Sequence, residues 1–488
     1  MIILKEVKTT IEKLNKAGYQ AYIVGGCVRD FLRAIEPEDW DITTNAKPGE
    51  IQKVFPDSFY ENKFLTVTIK TKNKNPKLKE IEITTYRLEA KYSDKRHPDE
   101  IRFAKTLQED LARRDFTVNA MAIEIPISKP QLPKIIDSFN GQEDLKNKII
   151  RTVGNPNERF GEDALRMLRA VRFATIFGFI IEEKTAQAIK KNSLWLEAIS
   201  KERIRDEFLK IIMSDKAANG VDSLYRLGLL KFIVPELEEN YGVGQNKHHI
   251  YDCYTHALKS LEYTAKKKFN VYVRLAALFH DIAKPRVKVG QGLNSTFYNH
   301  EVVGAKMTFG ILNRLKFSKK DIEKITTLVR YHLFYYNVDE VSESSVRRLV
   351  KNVGQENMEE LLLVRQADRI GSGVPKAEPY KLRHLKYIID KISKDPISVK
   401  MLKVSGNDAM SVLKMEPGPR IGQVLDILLG YVLDDPKKNE KEFLKKEIEK
   451  LGKLSDRELK SLAKKSKEEK LKVETKQDKM TKQKYWVT

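Results

Sequence analysis

Val24-Gly-Gly-Cys-Val-Arg-Asp30, followed by Glu38-Asp-Trp-Asp-Ile-Thr-Thr44, decides the fold of this chain. The run Ala21-Tyr-Ile-Val24 predicts a short strand, and the two glycines predict a turn into a helix. Backbone N–H groups can approach phosphate oxygens where no side chain intervenes, and a helix N-terminus adds about half a positive charge. Gly25 and Gly26 are therefore candidate phosphate-binding residues, although such a pair also occurs in ordinary turns.

Two aspartates follow this turn at a spacing of two residues. If Asp41 begins a strand, the two-residue period of a strand places Asp39 and Asp41 on one face. Two such carboxylates can hold two magnesium ions about 3.5–4 Å apart, which activate an attacking hydroxyl and neutralise a triphosphate. Solvated surface is the other interpretation of the pair. Glu82 alternates with isoleucines, so it either joins this catalytic site or faces solvent.

Composition limits the function classes. The 488 residues exceed one compact core, so several domains are expected. Lys and Arg number 90 against 68 acidic residues, and the formal charge of +22 favours a polyanionic partner. Two cysteines cannot form a disulfide framework or a Cys-rich zinc site. The N-terminal residues do not match a targeting signal and no apolar run is long enough to span a membrane, which predicts a cytoplasmic protein without membrane contact.

Further motifs continue the pattern in order along the chain. They are Tyr92-Ser-Asp-Lys-Arg-His-Pro98, Asp110-Leu-Ala-Arg-Arg-Asp-Phe-Thr-Val-Asn119, Glu162-Asp-Ala-Leu-Arg166 with Arg169 and Arg172, and Glu202-Arg-Ile-Arg-Asp-Glu207. Together they resemble the polymerase-beta-like nucleotidyltransferases, and among them the bacterial-type tRNA CCA-adding enzymes and poly(A) polymerases. The resemblance implies an α+β fold, in which a head with a small mixed sheet plus helices precedes a mostly α-helical remainder. It also implies template-independent addition and repair of the 3′-terminal CCA of tRNA from CTP and ATP.

Base choice is expected at Asp163 and Arg166, three residues apart in a helix predicted over 162–172. Cytosine and adenine both present an amino donor beside a ring-nitrogen acceptor, so one carboxylate and one guanidinium can accept them and repel uracil and guanine. The resembling enzymes are thought to use the corresponding residues in this way. An intrahelical salt bridge between the two residues is the alternative interpretation.

The resemblance also assigns phosphate and nucleotide contacts. Arg113 and Arg114 are expected to touch the triphosphate, although either could instead pair with a neighbouring aspartate. The other residues that the resemblance places at the nucleotide are Arg29, Asn119, Arg169 and Arg172. Family members that add only the two cytosines tend to lack part of the segment from 86 to 103. Arg96, Pro98 and Phe103 are present in this chain, which predicts addition of the terminal adenosine.

A second constellation lies in a histidine-bearing stretch. An apolar helical run ends at the adjacent His280 and Asp281, a placement that offers a metal two unlike ligands. The full set resembles the HD phosphohydrolase superfamily, whose ligands would be His256, His280, Asp281 and Asp368, with His300 and His332 as second-metal or phosphate contacts. The resemblance implies a divalent transition metal and removal of phosphates from damaged RNA ends. A structural remnant is the alternative.

The predicted domains are a catalytic head (1–150), a helical nucleotide-selecting and RNA-binding neck (151–235), an HD domain (236–370) and a lysine-rich helical tail (371–488). The tail is expected to contact tRNA and to fade into disorder. The tRNA is expected to be bound at its 3′ end and its acceptor and T arms, largely by shape.

Three competing interpretations remain. The first is a poly(A) polymerase, which usually has bulky aromatics after the motif that ends at Asn119 and no HD domain; Ala120-Met-Ala122 follows in this chain. The second is an HD phosphohydrolase whose head only binds RNA. The third is an RNA-binding scaffold with an inactive transferase fold, which predicts loss of the carboxylates that this sequence retains.

Overall fold

The computed structural model describes residues 3–61, 66–71, 73, 79–90, 100–126, 133–246, 250–393 and 398–487. The chain divides into two compact units. The first comprises Met1–Leu333 and Leu363–Pro375, and the second comprises Phe334–Leu362 and Lys376–Thr488. The predicted α+β class is confirmed, because a mixed sheet near the N-terminus is followed by a mostly helical remainder.

Short strands occur in the first unit. They are β1 (Ala21–Val24), β2 (Asp41–Thr44), β3 (Ser58–Glu61), β4 (Thr66–Lys70), β5 (Glu80–Thr85), β6 (Arg87–Ala90), β7 (Glu100–Phe103), β8 (Met121–Glu124), β9 (Lys134–Asp137), β10 (Ile149–Ile150) and β11 (Ile180–Ile181). Seven form one sheet in the order β3-β4-β5-β2-β1-β8-β9, while β6 pairs with β7 and β10 with β11. Within the large sheet β2 and β5 run parallel, and the other neighbours run antiparallel.

Helices of the head cover the sheet. They are α1 (Lys5–Lys16), α2 (Gly26–Leu32), α3 (Pro48–Val54), α4 (Leu107–Ala112) and α5 (Gly141–Asn147). The apolar positions of α1 pack on alternate residues of the strands, so that Ile11, Ile42 and Ile83 share one core. The opposite face of the sheet packs against α4, where Leu107 and Leu111 contribute to a smaller core. Helix α1 thus packs on one face of the sheet, and α4 packs on the other.

The rest of the chain is helical. The remaining helices are α6 (Pro156–Glu162), α7 (Leu165–Phe177), α8 (Glu183–Asn192), α9 (Lys201–Ile212), α10 (Ala217–Arg226), α11 (Pro235–Glu238), α12 (Cys253–Lys266), α13 (Val271–Phe279), α14 (Lys284–Val287), α15 (His300–Arg314), α16 (Lys319–Tyr331), α17 (Glu343–Val353), α18 (Met358–Gly371), α19 (Tyr380–Ser393), α20 (Gly406–Leu413), α21 (Pro419–Asp434), α22 (Lys441–Gly452) and α23 (Asp456–Lys484). Among the described residues no helix is both long enough and apolar enough to cross a membrane.

The lysine-rich C-terminal segment is helical to Lys484, where the sequence predicted a fade into disorder. Apolar side chains at helical spacing explain the difference: Leu444, Ile448 and Leu459 are buried in one core with residues of α21 such as Leu428. A narrow apolar stripe on an otherwise charged helix is sufficient for packing. The charged residues of this segment therefore form the outer face of packed helices.

Candidate active site

The head carboxylates, Asp39, Asp41 and Glu82, lie beside the glycine turn. Trp40 is buried in the main head core, with 3% of its surface exposed, so alternation directs Asp39 and Asp41 to the other side. Asp41 and Glu82 are register partners on the parallel strands β2 and β5, which makes their side chains neighbours on one face. The register therefore places Glu82 beside Asp41, although the two are far apart in the sequence.

Two of the head carboxylates, Asp41 and Glu82, have raised pKa values. Burial raises the pKa of Asp41, Arg114 lowers it, and Asp39 raises it again, with a net increase. The pKa of Glu82 is raised first by burial and then by Asp41 and Asp39. Carboxylates in this situation form an electronegative site that suits a hard divalent cation. The three carboxylates are not tightly clustered, because they do not each place an oxygen within 4.8 Å of the others.

Glycine is required at position 25 by conformation and by space. Gly25 has a φ of +84°, which side chains with a Cβ rarely adopt. A Cβ at this position would lie 2.7 Å from Arg114 Nη1 and 3.5 Å from Asp41 Oδ2. The Arg114 guanidinium and the Asp41 carboxylate thus both lie against the glycine turn. Gly26 follows as the first residue of α2.

Arg113 and Arg114 share one buried carboxylate. Arg113 Nε donates to Asp110 Oδ1 at 3.0 Å, and Arg114 Nη2 lies 3.5 Å from Asp110 Oδ2. Burial raises the pKa of Asp110, but the two guanidinium groups outweigh this effect and hold the pKa below its usual value. Pairing with an aspartate therefore holds for both arginines. Each guanidinium has five N–H donors, so a phosphate contact remains compatible with this pairing.

Three residues of the predicted site, Arg29, Asn119 and Arg169, form one hydrogen-bonded chain with Asp115. Arg29 Nη1 donates to Asn119 Oδ1 at 2.7 Å, and Asn119 Nδ2 donates to Asp115 Oδ1 at 3.1 Å. Arg169 Nε donates to Asp115 Oδ2 at 2.8 Å. Burial raises the pKa of Asp115, but Arg169 and its other partners lower it to about 2. This chain links α2 of the head to α7, so Arg29, Asn119 and Arg169 have structural partners of their own.

The predicted helix over 162–172 is two helices. α6 ends at Glu162 and α7 begins at Leu165, and Asp163 between them has extended backbone with φ −142° and ψ 105°. The Asp163 side chain explains the break, because its Oδ1 accepts from the Leu165 N–H at 3.0 Å in an Asx turn that competes with helical hydrogen bonds. The helical interpretation of Asp163 was wrong for this reason.

The alternative interpretation, a salt bridge between Asp163 and Arg166, is wrong because each residue pairs elsewhere. Asp163 Oδ2 accepts from Arg203 Nη2 at 2.7 Å, while Arg166 pairs with Glu162. Arg166 Nη2 also donates to the Arg113 carbonyl at 3.3 Å, which ties the neck to the end of α4. Asp163 and Arg166 thus each have a charged partner other than one another. Sequence reasoning missed Arg203 as such a partner, although Arg203 lies in the motif Glu202-Arg-Ile-Arg-Asp-Glu207.

Arg172 lies within the helical neck. Its Nη1 donates to Glu207 Oε1 at 2.9 Å, and the two side chains are 9% and 5% exposed. Burial lowers the pKa of Arg172, and Glu207 only partly offsets this effect. The pair links α7 to α9, so Arg172 has a buried structural partner, and its contact with a nucleotide stays a prediction.

The histidine cluster consists of His256, His280, Asp281, His300, His332 and Asp368. His256 Nε2 lies 3.2 Å from Asp281 Oδ2 and 3.4 Å from Asp368 Oδ1, and His280 Nε2 lies 3.3 Å and 3.6 Å from the same atoms. These four residues can each place one ligand atom within 4.8 Å of the others. Asp281 forms a second such group with the two remaining histidines. The structure therefore brings all six predicted residues together.

The tautomers of this cluster favour metal binding. In His280, His300 and His332, Nδ1 lies 2.7–2.8 Å from the carbonyl oxygen three residues earlier. An Nδ1–H that donates to a carbonyl directs the Nε2 lone pair into the cluster, as a metal ligand requires. Burial lowers the pKa of His280, but the carboxylates of Asp281 and Asp368 outweigh it and raise the pKa to about 10, so a metal ion would bind in place of the Nε2 proton. Imidazole and carboxylate donors together suit a divalent transition metal.

A cavity of about 550 Å³ opens onto the histidine cluster. Lys284, Arg365 and Arg369 contribute positive charge to its lining, and Phe297 and Tyr298 contribute aromatic rings. The Lys284 ammonium lies 2.6 Å from Asp281 Oδ2. Sequence reasoning missed these basic residues. A signal was present, since Lys284 follows the His-Asp pair by one helical turn and both arginines flank Asp368 on α18.

Comparisons with known proteins agree with this geometry. Residues 21–151 match the family described as Poly A polymerase head domain, residues 178–241 the probable RNA and SrmB-binding site of polymerase A, and residues 248–372 the HD domain. The CCA-adding enzyme of Ligilactobacillus salivarius is 33% identical over 459 residues, which cover 91% of this chain and 98% of the relative. This chain belongs to the CCA-adding enzyme family.

Solved structures of CCA-adding enzymes extend the likeness. The Bacillus stearothermophilus CCA-adding enzyme in complex with CTP is 27% identical, with a TM-score of 0.58 over 92% of this chain and 98% of that one. The Thermotoga maritima CCA-adding enzyme complexed with tRNA has a TM-score of 0.51 at 21% identity, and the match covers 91% of this chain and 94% of that one. This second likeness is one of fold. The family resemblance drawn from the motifs is confirmed, and the chain is a nucleotidyltransferase.

Three sets of predictions about this CCA-adding enzyme family member stay predictions: the domain boundaries at 150, 235 and 370, the roles of the individual site residues, and the addition of the terminal adenosine. Arg96 and Pro98 lie outside the described residues, while Phe103 lies in β7 and is 43% exposed.

Proposed function

We propose that the protein adds and repairs the 3′-terminal CCA of tRNA, using CTP and ATP in a two-metal nucleotidyl transfer. The juxtaposition of Gly25, Arg114 and Asp41 carries the proposal, because it joins a phosphate-binding turn, a guanidinium and a metal-ligating carboxylate at one point. The CTP and tRNA complexes of the similar CCA-adding enzymes support the choice of substrates.

The residues of the head divide the work by their chemistry. The N–H groups after Gly25 receive the triphosphate, and Arg114, held by Asp110, neutralises it. Asp39 and Asp41 would hold magnesium, with Glu82 as a third carboxylate. Magnesium, when bound, lowers the pKa of the attacking 3′-hydroxyl and stabilises the pyrophosphate that leaves.

Asp163 and Arg166 are proposed to select the base. The carboxylate accepts from the amino group of cytosine or adenine, and the guanidinium donates to the adjacent ring nitrogen. Arg203 and Glu162 act as positioning residues, because they hold the carboxylate and the guanidinium respectively. Uracil and guanine would place a carbonyl against the carboxylate and an N–H against the guanidinium.

The deciding experiment is sequencing of the products formed on tRNA that lacks its 3′ end, with CTP and ATP supplied together. We expect C, C and A in that order and then a stop. A run of adenosines would instead identify a poly(A) polymerase, and a product that ends at CC would contradict the prediction of terminal adenosine. Asp41→Asn should abolish addition, whereas Asp206→Asn, at an exposed surface pair, should retain it.

A second activity is proposed for the histidine cluster, namely metal-dependent removal of phosphates or 2′,3′-cyclic phosphates from RNA ends. The observation that favours it is the cavity above the cluster, where Lys284, Arg365 and Arg369 would bind the phosphate. His280→Ala should lower the bound transition metal and the hydrolysis of a 2′,3′-cyclic nucleotide while CCA addition continues. This activity would be refuted if the protein, after incubation with divalent transition metals, neither bound metal nor hydrolysed any such ester. Retained hydrolysis in Asp41→Asn would show that the two sites are separate.

The proposed tRNA contacts are the 3′ end at the head and neck, and the acceptor and T arms along the lysine-rich helices of the tail. The proposed compartment is the cytoplasm. Backbone contacts by lysines predict that the affinity for tRNA falls steeply as salt rises.

A further inference from the structure

A second cavity lies where α2, α5 and α7 end, and we name it the junction pocket. It has a volume of about 550 Å³, and its lining includes Arg33, Lys146, Lys148, Phe177 and Phe179. None of the residues that line it is acidic. It belongs to neither the head carboxylates nor the histidine cluster.

The positive charge of the junction pocket is available to a ligand. Lys146 and Lys148 are exposed, and neither forms an ion pair with any residue in the described part of the chain. A third lysine is adjacent, since a Cβ built on Gly178 would lie 2.5 Å from Lys216 Nζ. The C-terminus of α5 favours basic residues near its last turn, which accounts for Lys146 and for the C-cap residue Lys148. Lys216 lies beyond that helix.

Aromatic rings form the apolar wall of the same cavity. Phe177 is covered on its faces, with Arg33 Cζ 4.4 Å from the ring centroid and Phe173 stacked at 5.5 Å. Phe179 is tilted against Phe177 with the centroids 5.6 Å apart, and it is only partly buried. Lysine ammonium groups beside a partly open aromatic ring are the combination that binds a nucleotide of single-stranded RNA.

The position of the pocket fits the same RNA that reaches the active site. α2 begins at Gly26 beside the head carboxylates and ends at the pocket, and a rise of about 1.5 Å per residue makes this helix about 10 Å long. The region similar to an RNA-binding site begins at residue 178, between the two phenylalanines. RNA is therefore the favoured occupant over a protein or a membrane.

We propose that the junction pocket binds one nucleotide of the RNA substrate away from the reacting 3′ end. Lys146 and Lys148 hold its phosphate, and Phe179 packs against its base. This inference rests on the proposed function, since it takes tRNA as the substrate.

The test compares two charge-matched double variants of the full chain, Lys146→Gln/Lys148→Gln and the control Lys266→Gln/Lys267→Gln on the exposed end of α12. Affinity for tRNA is measured by filter binding over a salt series, and the KM for CTP by steady-state addition. We expect the pocket variant to bind tRNA about tenfold more weakly. Its salt slope should fall by about 0.7 to 0.9, for the loss of one phosphate contact that the two lysines share, with the KM for CTP unchanged.

Two further variants separate charge from folding. Lys146→Arg/Lys148→Arg should restore both the affinity and the salt slope. Phe179→Leu should weaken tRNA binding about tenfold without a change in slope, because stacking is not ionic. Equal tRNA binding by the pocket and control variants would overturn the inference. The proposed function would still stand in that case if the natural chain added CCA. An increased KM for CTP in the pocket variant would also overturn it. Failure of the natural chain to extend tRNA would refute the proposed function instead.

Discussion

Asp115 provides the sharpest test of how the head is joined to the neck. Its carboxylate is 9% exposed and accepts hydrogen bonds from Arg169, Asn119 and the Phe116 N–H. The pKa of Asp115 is about 2 in the folded chain, against an ordinary value of 3.8. Since a tenfold change in a dissociation constant is worth about 1.4 kcal/mol, this depression corresponds to about 2 kcal/mol of stability at neutral pH.

The substitution Asp115→Asn removes this charge and turns an amide N–H₂ toward the Arg169 guanidinium. Two donors then face each other, so the loss of stability at pH 7 should be about 2–4 kcal/mol. A depressed folded pKa stabilises above the unfolded value near 4, and the contribution is lost as the pH falls through about 2. About half of it should remain at pH 3, so the difference from the natural chain should shrink by about 1 kcal/mol.

Urea unfolding at pH 7 and pH 3, followed by tryptophan fluorescence, measures this difference. Trp40 and Trp195 both lie in the first compact unit and report on the head and the neck. Asp206→Asn is the matched control, because Asp206 is 55% exposed in its pair with Arg205 and should contribute under about 1 kcal/mol. A difference for Asp115→Asn that is equally large at both pH values would refute the charged pairing.

Three other perturbations follow from the contacts. Gly25→Ala places a Cβ 2.7 Å from Arg114 in a backbone conformation reserved for glycine, so kcat for CTP incorporation should fall at least about 100-fold, and a rate near that of the natural chain would contradict the close approach. Arg172→Met should cost about 3–5 kcal/mol by leaving the buried Glu207 with only the more exposed Lys210 at 3.4 Å, whereas the double change to Met at positions 172 and 207 should recover most of it in urea unfolding; loss of CTP binding with unchanged stability would instead support a nucleotide contact. Leu444→Ala should lower the stability of the second unit by about 2–5 kcal/mol in a calorimetric scan, and a change under about 1 kcal/mol would mean that the tail is not packed as described.

The sequence predicted those features of the head that depend only on local residue patterns and on the order of residues along the chain. Strand patterns located β1 and the start of β2, and glycine chemistry located the turn at Gly25. The partner of Asp41 was harder to predict, because the pairing of β2 with β5 depends on a long-range parallel register. Glu82 could therefore not be assigned to the site or to solvent from its own strand.

Other features escaped prediction because side chains compete for partners. Asp163 was placed in a helix by periodicity, yet its side chain hydrogen-bonds the backbone two residues later and ends that helix. Asp110 was considered as a partner for one arginine, yet its buried carboxylate serves both Arg113 and Arg114. Which of several nearby charges pair is decided by three-dimensional packing, which spacing alone does not encode.

The parallel ladder between β2 and β5 also bears on how the length of the chain can change. The segments between these strands, with β3 and β4, connect them at one edge of the sheet, but the neighbouring positions of Asp41 and Glu82 are set by the ladder itself. An insertion at Pro56 and Asp57, in the exposed turn between α3 and β3, should therefore leave the spacing of the carboxylates unchanged, at a modest cost in loop-closure entropy. This turn is a suitable place to graft a tag or a reporter peptide, with the rate of CCA addition as the check.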